Sequence, residues 1–304
     1  MNTNTTNAFF LEEINNLSSL DANLLVTMGE EMYHEQIKTL VEQVLENKKI
    51  KIILLAGPSS SGKTTTSLLI SKGLEEHNKK SLTVSLDDFF LDREHTPLLP
   101  NGNYDYENIT AIDLKLFNDF INDLLTKKKA QMPLYDFVTG KKNKTKTLVE
   151  YDDETYIIIE GLHALNPIII NQPKETLFKV YICALSDFNY NNSCLISFTD
   201  LRLMRRCIRD YYTRGRTIDQ TILGWDEVRD GERKYIDPFK NDADFFIDST
   251  HIYEPLIFAF DLQDKLNSST LQKAKSLAQM LAHCQKLSKS FIPNTSLLNE
   301  FFKK

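Results

Sequence analysis

One short run constrains this chain more than any other: Leu54-Leu55-Ala56-Gly57-Pro58-Ser59-Ser60-Ser61-Gly62-Lys63-Thr64-Thr65. Residues 57–64 fit G-x-x-x-x-G-K-[S/T], a phosphate-binding loop that requires a strand before it and a helix behind it. Both are expected here. The apolar run 52–56 reads as a buried strand, and 64–76 has the composition of a helix. Gly57 and Gly62 let the backbone turn tightly through Pro58, Ser59, Ser60 and Ser61 and bring its N–H groups up to phosphate oxygens. The helix directs its positive end at the same oxygens. Lys63 supplies a cation for the β/γ-phosphates, the Thr64 hydroxyl is placed to hold Mg²⁺, and Thr65 closes the run. ATP and Mg²⁺ are the expected cofactors.

Composition narrows the partners. The chain has 304 residues, 41% hydrophobic and 26% charged, as an ordinary globular protein does. A net charge of −6 argues against nucleic acid or an anionic membrane as the main partner. No apolar run approaches the length of a membrane span, and residues 1–7 lack the basic segment of a signal peptide. Cys183, Cys194, Cys207 and Cys284 show no C-x-x-C pairing and read as reduced cytosolic thiols, so the expected location is cytoplasmic.

Taken in order, residues 1–20 are polar and weakly patterned. A helical stripe then runs through Leu25, Met28, Met32, Ile37, Val41 and Val44. Residues 81–86 read as a second strand delivering Asp87 and Asp88 at its C-terminal end, where ligands bind in a parallel α/β sheet. An acid there can take a proton from an attacking hydroxyl or hold Mg²⁺ through water, whereas a turn or helix cap is the structural alternative. Asp87 is the stronger candidate of the two. Residues 95–106 read as a loop, 113–127 as a helix, and 133–151 as a hairpin around the turn at Thr139-Gly140, with solvated lysines. The run 156–161 is another buried strand ending in an acid, Glu160, the arrangement that usually serves Mg²⁺. Residues 178–184 read as a strand, and 234–248 as a loop with the last strand. Residues 253–266 read as one helix, with a further stripe at Leu277, Leu281, Cys284 and Leu287.

Arginines cluster in residues 200–217. Arg202, Arg205, Arg206 and Arg209 share a helix face that is expected to look into a cleft, with Leu201, Met204, Ile208 and Tyr211 on another. Arg214-Gly215-Arg216 follows as a basic tip. Phosphoryl transfer spreads negative charge over oxygens that guanidinium forks match, and a lid of this kind also excludes water.

The chain resembles the phosphoribulokinase/uridine kinase family of P-loop kinases. The resemblance rests on the phosphate loop, Ser85-Leu86-Asp87-Asp88-Phe89-Phe90, Tyr104-Asp105-Tyr106-Glu107, Ala111-Ile112-Asp113, residues 133–137, Ile159-Glu160-Gly161-Leu162, residues 202–216, and Pro238 with Ala243-Asp244. These run collinearly over about 51–250. Residues 85–97 and 161–167 look most like bacterial uridine-kinase-like nucleoside kinases that carry a threonyl-tRNA-synthetase-like region upstream. The 48 residues ahead of the first strand here are expected to be too few to hold that region.

The resemblance implies a nucleoside-monophosphate-kinase-like P-loop fold. Its parallel sheet has helices on both faces, an arginine lid and a β-hairpin insert. It implies Asp87 as the base on a ribose 5′-hydroxyl, Lys63 and Thr64 on phosphate and Mg²⁺, and Glu160 on the Mg²⁺ side. Glu107 falls on the acid that grips ribose hydroxyls, and Tyr135 on an aromatic residue of the nucleoside pocket. Arg206 and Arg216 match nucleoside-side arginines, Arg209 and Arg214 phosphate-clamping ones, and Asp244 a residue on the ATP side. Two positions depart. Where uridine kinases carry a pyrimidine-contacting histidine and glutamine, this chain has Gly140 and Gly224. Such hydrogen bonds discriminate strongly, so base preference is open.

The expected organisation is an N-terminal helical extension (1–48), a kinase domain (49–250) and C-terminal helices packed on it (251–304), in a homo-oligomer. The expected activity is transfer of the ATP γ-phosphate to a nucleoside 5′-hydroxyl. The alternatives are a kinase of another small hydroxyl compound, such as a sugar phosphate or pantothenate-like molecule, and a non-catalytic ATP-binding module.

Overall fold

A computed structural model describes residues 7–170 and 172–302; the signal-peptide expectation concerns positions mostly outside them. The chain opens with β1 (Ala8–Phe10), α1 (Leu11–Leu20) and α2 (Ala22–Glu46). Asp21 separates the two helices and caps the second, its carboxylate accepting from Leu24 N at 3.0 Å. Next come β2 (Ile52–Ala56), α3 (Lys63–Glu76), β3 (Lys80–Ser85) and α4 (Leu114–Lys127). The insert follows as β4 (Lys129–Met132), β5 (Tyr135–Asp136), β6 (Lys141–Lys142) and β7 (Thr147–Glu150). Then β8 (Thr155–Glu160) and β9 (Leu177–Cys183) return to the main sheet, and β10 (Asp187–Tyr190) and β11 (Ser193–Ile196) leave it. The remainder is α5 (Phe198–Thr213), α6 (Ile218–Leu223), α7 (Trp225–Tyr235), α8 (Asp237–Lys240), β12 (Phe245–Asp248), α9 (Glu254–Asp261), α10 (Gln263–Asn267), α11 (Gln272–Leu281) and α12 (Asn299–Phe302).

Five parallel strands form the central sheet in the order β12-β9-β2-β8-β3. β2 lies in the middle. The chain leaves it to one side for β3 and later to the other for β9, so the C-terminal end of β2 is the switch point where such sheets bind ligands. Strands buried on both faces need apolar residues throughout, and every residue of β2 and β8 is buried. Alternation then sorts them. Ile53 and Leu55 join α2, α3, α9 and α11 in one core, whereas Ile52, Leu54 and Ala56 join α4 in the other. The α/β sheet with helices on both faces is therefore as expected.

Several local readings change. Residues 8–20, within a stretch read as polar and weakly patterned, form a strand and a helix. β1 pairs in parallel with β10, and β10 turns into β11 through Asn191 and Asn192, both at positive φ. That Asn-Asn pair between short apolar runs was the available hairpin signal. Met28 and Met32 face outward at 40% and 47% exposure, while Leu25, Ile37, Val41 and Val44 are buried. The 253–266 helix breaks at Leu262 into α9 and α10, and 234–248 is mostly helical before β12. The insert is a double ladder, β4 with β7 and β5 with β6, and its Lys142 pairs with Asp113 at 2.8 Å. Among the described residues, no helix is long and apolar enough to cross a membrane.

Candidate active site

β2 delivers Gly57 into the loop, and α3 starts at Lys63. A Cβ on Gly57 would sit 2.2 Å from the Ile182 carbonyl, so the neighbouring strand admits only glycine. Gly62 is left-handed at φ 94° and caps α3. The loop hydroxyls of Ser60 and Ser61 are buried without partners. Lys63 Nζ folds over the loop, 2.9 Å from the Gly57 carbonyl and 3.2 Å from that of Pro58. A cradle with unpartnered donors and a lysine at its mouth fits a polyphosphate.

Asp87 lies on the 3₁₀ turn 86–89 directly after β3. It is half-buried, and desolvation raises its pKa against the pull of Lys63, Arg214 and Arg209. Glu160 ends β8 and accepts from Ser85 Oγ at 2.6 Å. Burial and then the Asp87 charge push it up to about 7. Two crowded carboxyls facing a phosphate loop are a chemically suitable donor set for a divalent cation. No group of three or more His, Cys, Asp or Glu among the described residues could hold a metal alone. A Mg²⁺ here would rely on phosphate oxygens, as that ion commonly does. Asp88 has another task, accepting from Tyr135 N at 3.3 Å and so anchoring β5.

The acceptor candidates converge beside these acids. Glu107 packs its side chain against Gly231, where a Cβ would come within 2.7 Å. Burial pushes it up to about 7, with Arg206 pulling the other way. Its Oε2 and the Tyr135 hydroxyl are buried and unpartnered. Tyr135 sits in an aromatic wall with Phe90 and Phe137, ring centres 5.8 and 5.1 Å away. Gly140, at φ 71°, is overlain by Arg93, which donates to Tyr106 Oη at 3.2 Å and the Phe137 carbonyl at 2.8 Å. A Cβ at 140 would meet Arg93 Nε at 2.5 Å.

The arginine helix α5 does two things, not one. Arg206 and Arg209 reach Ser59 Oγ at 2.8 and 3.2 Å, which puts them on the loop. Arg202 and Arg205, expected to face a cleft, are instead buried in ion pairs with Glu232 and Glu254. A guanidinium removed from water must be matched by a carboxylate, and α7 and α9 supply one each. Sequence reasoning missed both acids, and also Asp210. Burial would raise Asp210, but Arg209, Arg206 and Arg214 outweigh it and hold the carboxyl below the usual range. Its spacing of four residues from Arg206 and from Arg214 was the visible signal.

Two candidates stand apart. Arg216 is exposed, with only its backbone N–H bonded, to the Asp210 carbonyl at 3.1 Å. Asp244 precedes β12, and its carboxylate accepts from Lys179 N at 2.8 Å. Lys179 pairs with Leu54 in mid-strand, so Asp244 lies level with β2 rather than with the loop beyond it.

Residues 52–253 match the Phosphoribulokinase / Uridine kinase family. The chain belongs to that family. A uridine kinase from Staphylococcus epidermidis is 31% identical over 197 residues, 64% of this chain and 86% of that protein. A uridine kinase from Lactobacillus helveticus is 30% identical over 203 residues, 66% of this chain and 87% of that protein. A solved D-glycerate 3-kinase from Cryptococcus neoformans var. grubii is also similar, at 16% identity over 67% of this chain and 89% of that one, with a TM-score of 0.48. As a member of the phosphoribulokinase/uridine kinase family, the chain is a kinase-type phosphotransferase built on a phosphate loop. The family match leaves α1, α2 and everything after α9 begins outside its span.

Proposed function

We propose that this protein transfers the γ-phosphate of ATP to the 5′-hydroxyl of a nucleoside. One observation carries the reading: a half-buried carboxyl, Asp87, feels the charges of Lys63, Arg209 and Arg214 beside the phosphate loop. Asp87 receives the proton of the attacking hydroxyl, and its raised pKa makes it a better acceptor than an exposed aspartate. Lys63, Arg209 and Arg214 lie where charge spreads over the transferring oxygens. Thr64 and Glu160 would hold Mg²⁺, which supplies positive charge against the phosphates. Glu107, Tyr135 and Arg206 offer the acceptor a carboxyl, a hydroxyl and a guanidinium, the first two with unpartnered atoms; Arg216 serves the same side from the exposed tip.

The named relatives phosphorylate uridine according to their names, but the pyrimidine-contacting side chains of such kinases are Gly140 and Gly224 here. Arg93 covers Gly140. A guanidinium at that wall supports a second reading, in which the acceptor is a small hydroxyl compound bearing negative charge, such as a sugar phosphate. A panel of nucleosides and non-nucleoside alcohols with Mg-ATP, followed by ADP release, separates the two. In either case Asp87→Asn keeps ATP binding and lowers turnover by about 10²–10⁴. Turnover near that of the unaltered protein would remove Asp87 as the base.

A further inference from the structure

The C-terminal segment, outside the family match, ends on the phosphate loop. Three of its side chains, Leu297, Leu298 and Phe301, are fully buried. Leu297 lies against Gly62, so close that a Cβ there would meet its Cδ1 at 2.2 Å. Phe301 lies under the Arg205 guanidinium, 5.3 Å from ring centre to Cζ. Ser296 is tied by Tyr253 Oη at 3.0 Å, and Tyr253 donates in turn to Glu30 on α2. Both flanks of the kinase core thus hold this segment in place.

The segment then presents Glu300 to the start of α3. Its Oε2 accepts from Thr65 Oγ1 at 3.0 Å and from Thr65 N at 3.4 Å. The first N–H groups of a helix have no partner within it, and a phosphate loop reserves them for the ligand. Lys63 serves the β/γ side and Thr64 the Mg²⁺. The next donors along the turn, the N–H and hydroxyl of Thr65, are left for the α-phosphate. A carboxylate already sits on them.

We propose that Glu300 is a built-in competitor for the donor's α-phosphate, and that residues 296–302 withdraw from Thr65 when the nucleotide binds. This rests on the reading of the loop as the ATP site. Two anions cannot share one pair of donors, so nucleotide affinity is lowered by the fraction of molecules in which the carboxylate is seated. The segment then sets the ATP concentration at which the enzyme fills. A helix cap alone is the competing explanation, and it makes the opposite forecast for affinity.

The test is ATP titration by calorimetry, without acceptor, on the full-length protein and on Glu300→Gln. The variant keeps the shape and loses the charge, and charge-assisted hydrogen bonds are about twice as strong as neutral ones. Affinity for ATP is expected to rise about tenfold. Unchanged or weaker binding by the variant overturns the proposal while leaving the ATP site intact. Hydrogen exchange on the unaltered protein gives an independent readout. ATP is expected to speed exchange at 296–302, and slower exchange there would mean a cover that closes on nucleotide, which also overturns it. Absence of ATP binding by both proteins would sink the ATP site itself and this proposal with it.

Discussion

Arg205 offers the sharpest test of how the site is supported. Its guanidinium is fully buried and meets Glu254 twice, Nε to Oε2 at 2.7 Å and Nη2 to Oε1 at 2.8 Å. It also donates to Ser249 Oγ at 2.9 Å and to the Ser249 carbonyl at 2.6 Å. Arg205→Met fills most of the volume but strands the Glu254 carboxylate without water or counter-charge. Removing one partner of a buried pair costs about 3–5 kcal/mol. In a chain of 304 residues that corresponds to a Tm lower by about 5–8 °C. Urea unfolding can be followed through the single tryptophan, Trp225, whose ring lies 5.4 Å from the Arg202 guanidinium. The midpoint should fall with m unchanged. Adding Glu254→Gln should return about 2 kcal/mol, because no charge is then stranded. A single variant within about 1 kcal/mol of the unaltered protein would refute the argument that this pair is held out of water.

Two further outcomes follow from the acceptor side. Glu107 rises from 4.5 to about 7 on burial, so the folded state binds its proton more tightly than the unfolded chain does. Stability that is complete below about pH 4.5 should decline as pH rises through 7, by about 3 kcal/mol in all. Glu107→Gln removes that decline and should be the more stable protein at pH 8, which urea titrations at pH 5 and 8 would check. Gly140→His should not confer the pyrimidine contact of uridine kinases. The left-handed backbone costs about 1–2 kcal/mol with a side chain, and Arg93 blocks the space. Its Tm should fall without gain in uridine turnover, and trimming Arg93 to alanine should recover part of the loss.

The phosphate loop, its strand and its helix were legible because that chemistry needs fixed residues at fixed spacing. The inner strands β2 and β8 were legible because a doubly covered sheet needs apolar residues along its middle, whereas β3 and β12, at the sheet edges, offered a weaker alternation. The arginine helix was legible only as a pattern. Periodicity placed Arg202, Arg205, Arg206 and Arg209 on one face but could not say which would find carboxylates, since Glu232 and Glu254 lie 30 and 49 residues on. Position along the face decides it: Arg202 and Arg205 meet carboxylates on α7 and α9 and touch the loop only through the Ser59 and Ser60 carbonyls, whereas Arg206 and Arg209 donate to the Ser59 hydroxyl. Asp244 was placed on the ATP side by motif alone, and motif could not show that its carboxylate accepts from the Lys179 N–H at the edge of the sheet. Glu300 carried no signal at all, since a long-range cap depends on how the chain returns.

That return has a bearing on biosynthesis. Asn15 is bonded to the His283 carbonyl and to Gln285 N, both at 2.8 Å, and Thr65 to Glu300, so the earliest and latest parts of the chain complete each other's packing. Residues 296–301 leave the ribosome after everything they touch. Until then Gly62 lacks the cover of Leu297, and the Arg205 guanidinium lacks that of Phe301. Completion of that face therefore waits on residues 296–301, and a nascent chain arrested ahead of residue 296 should remain a client of chaperones.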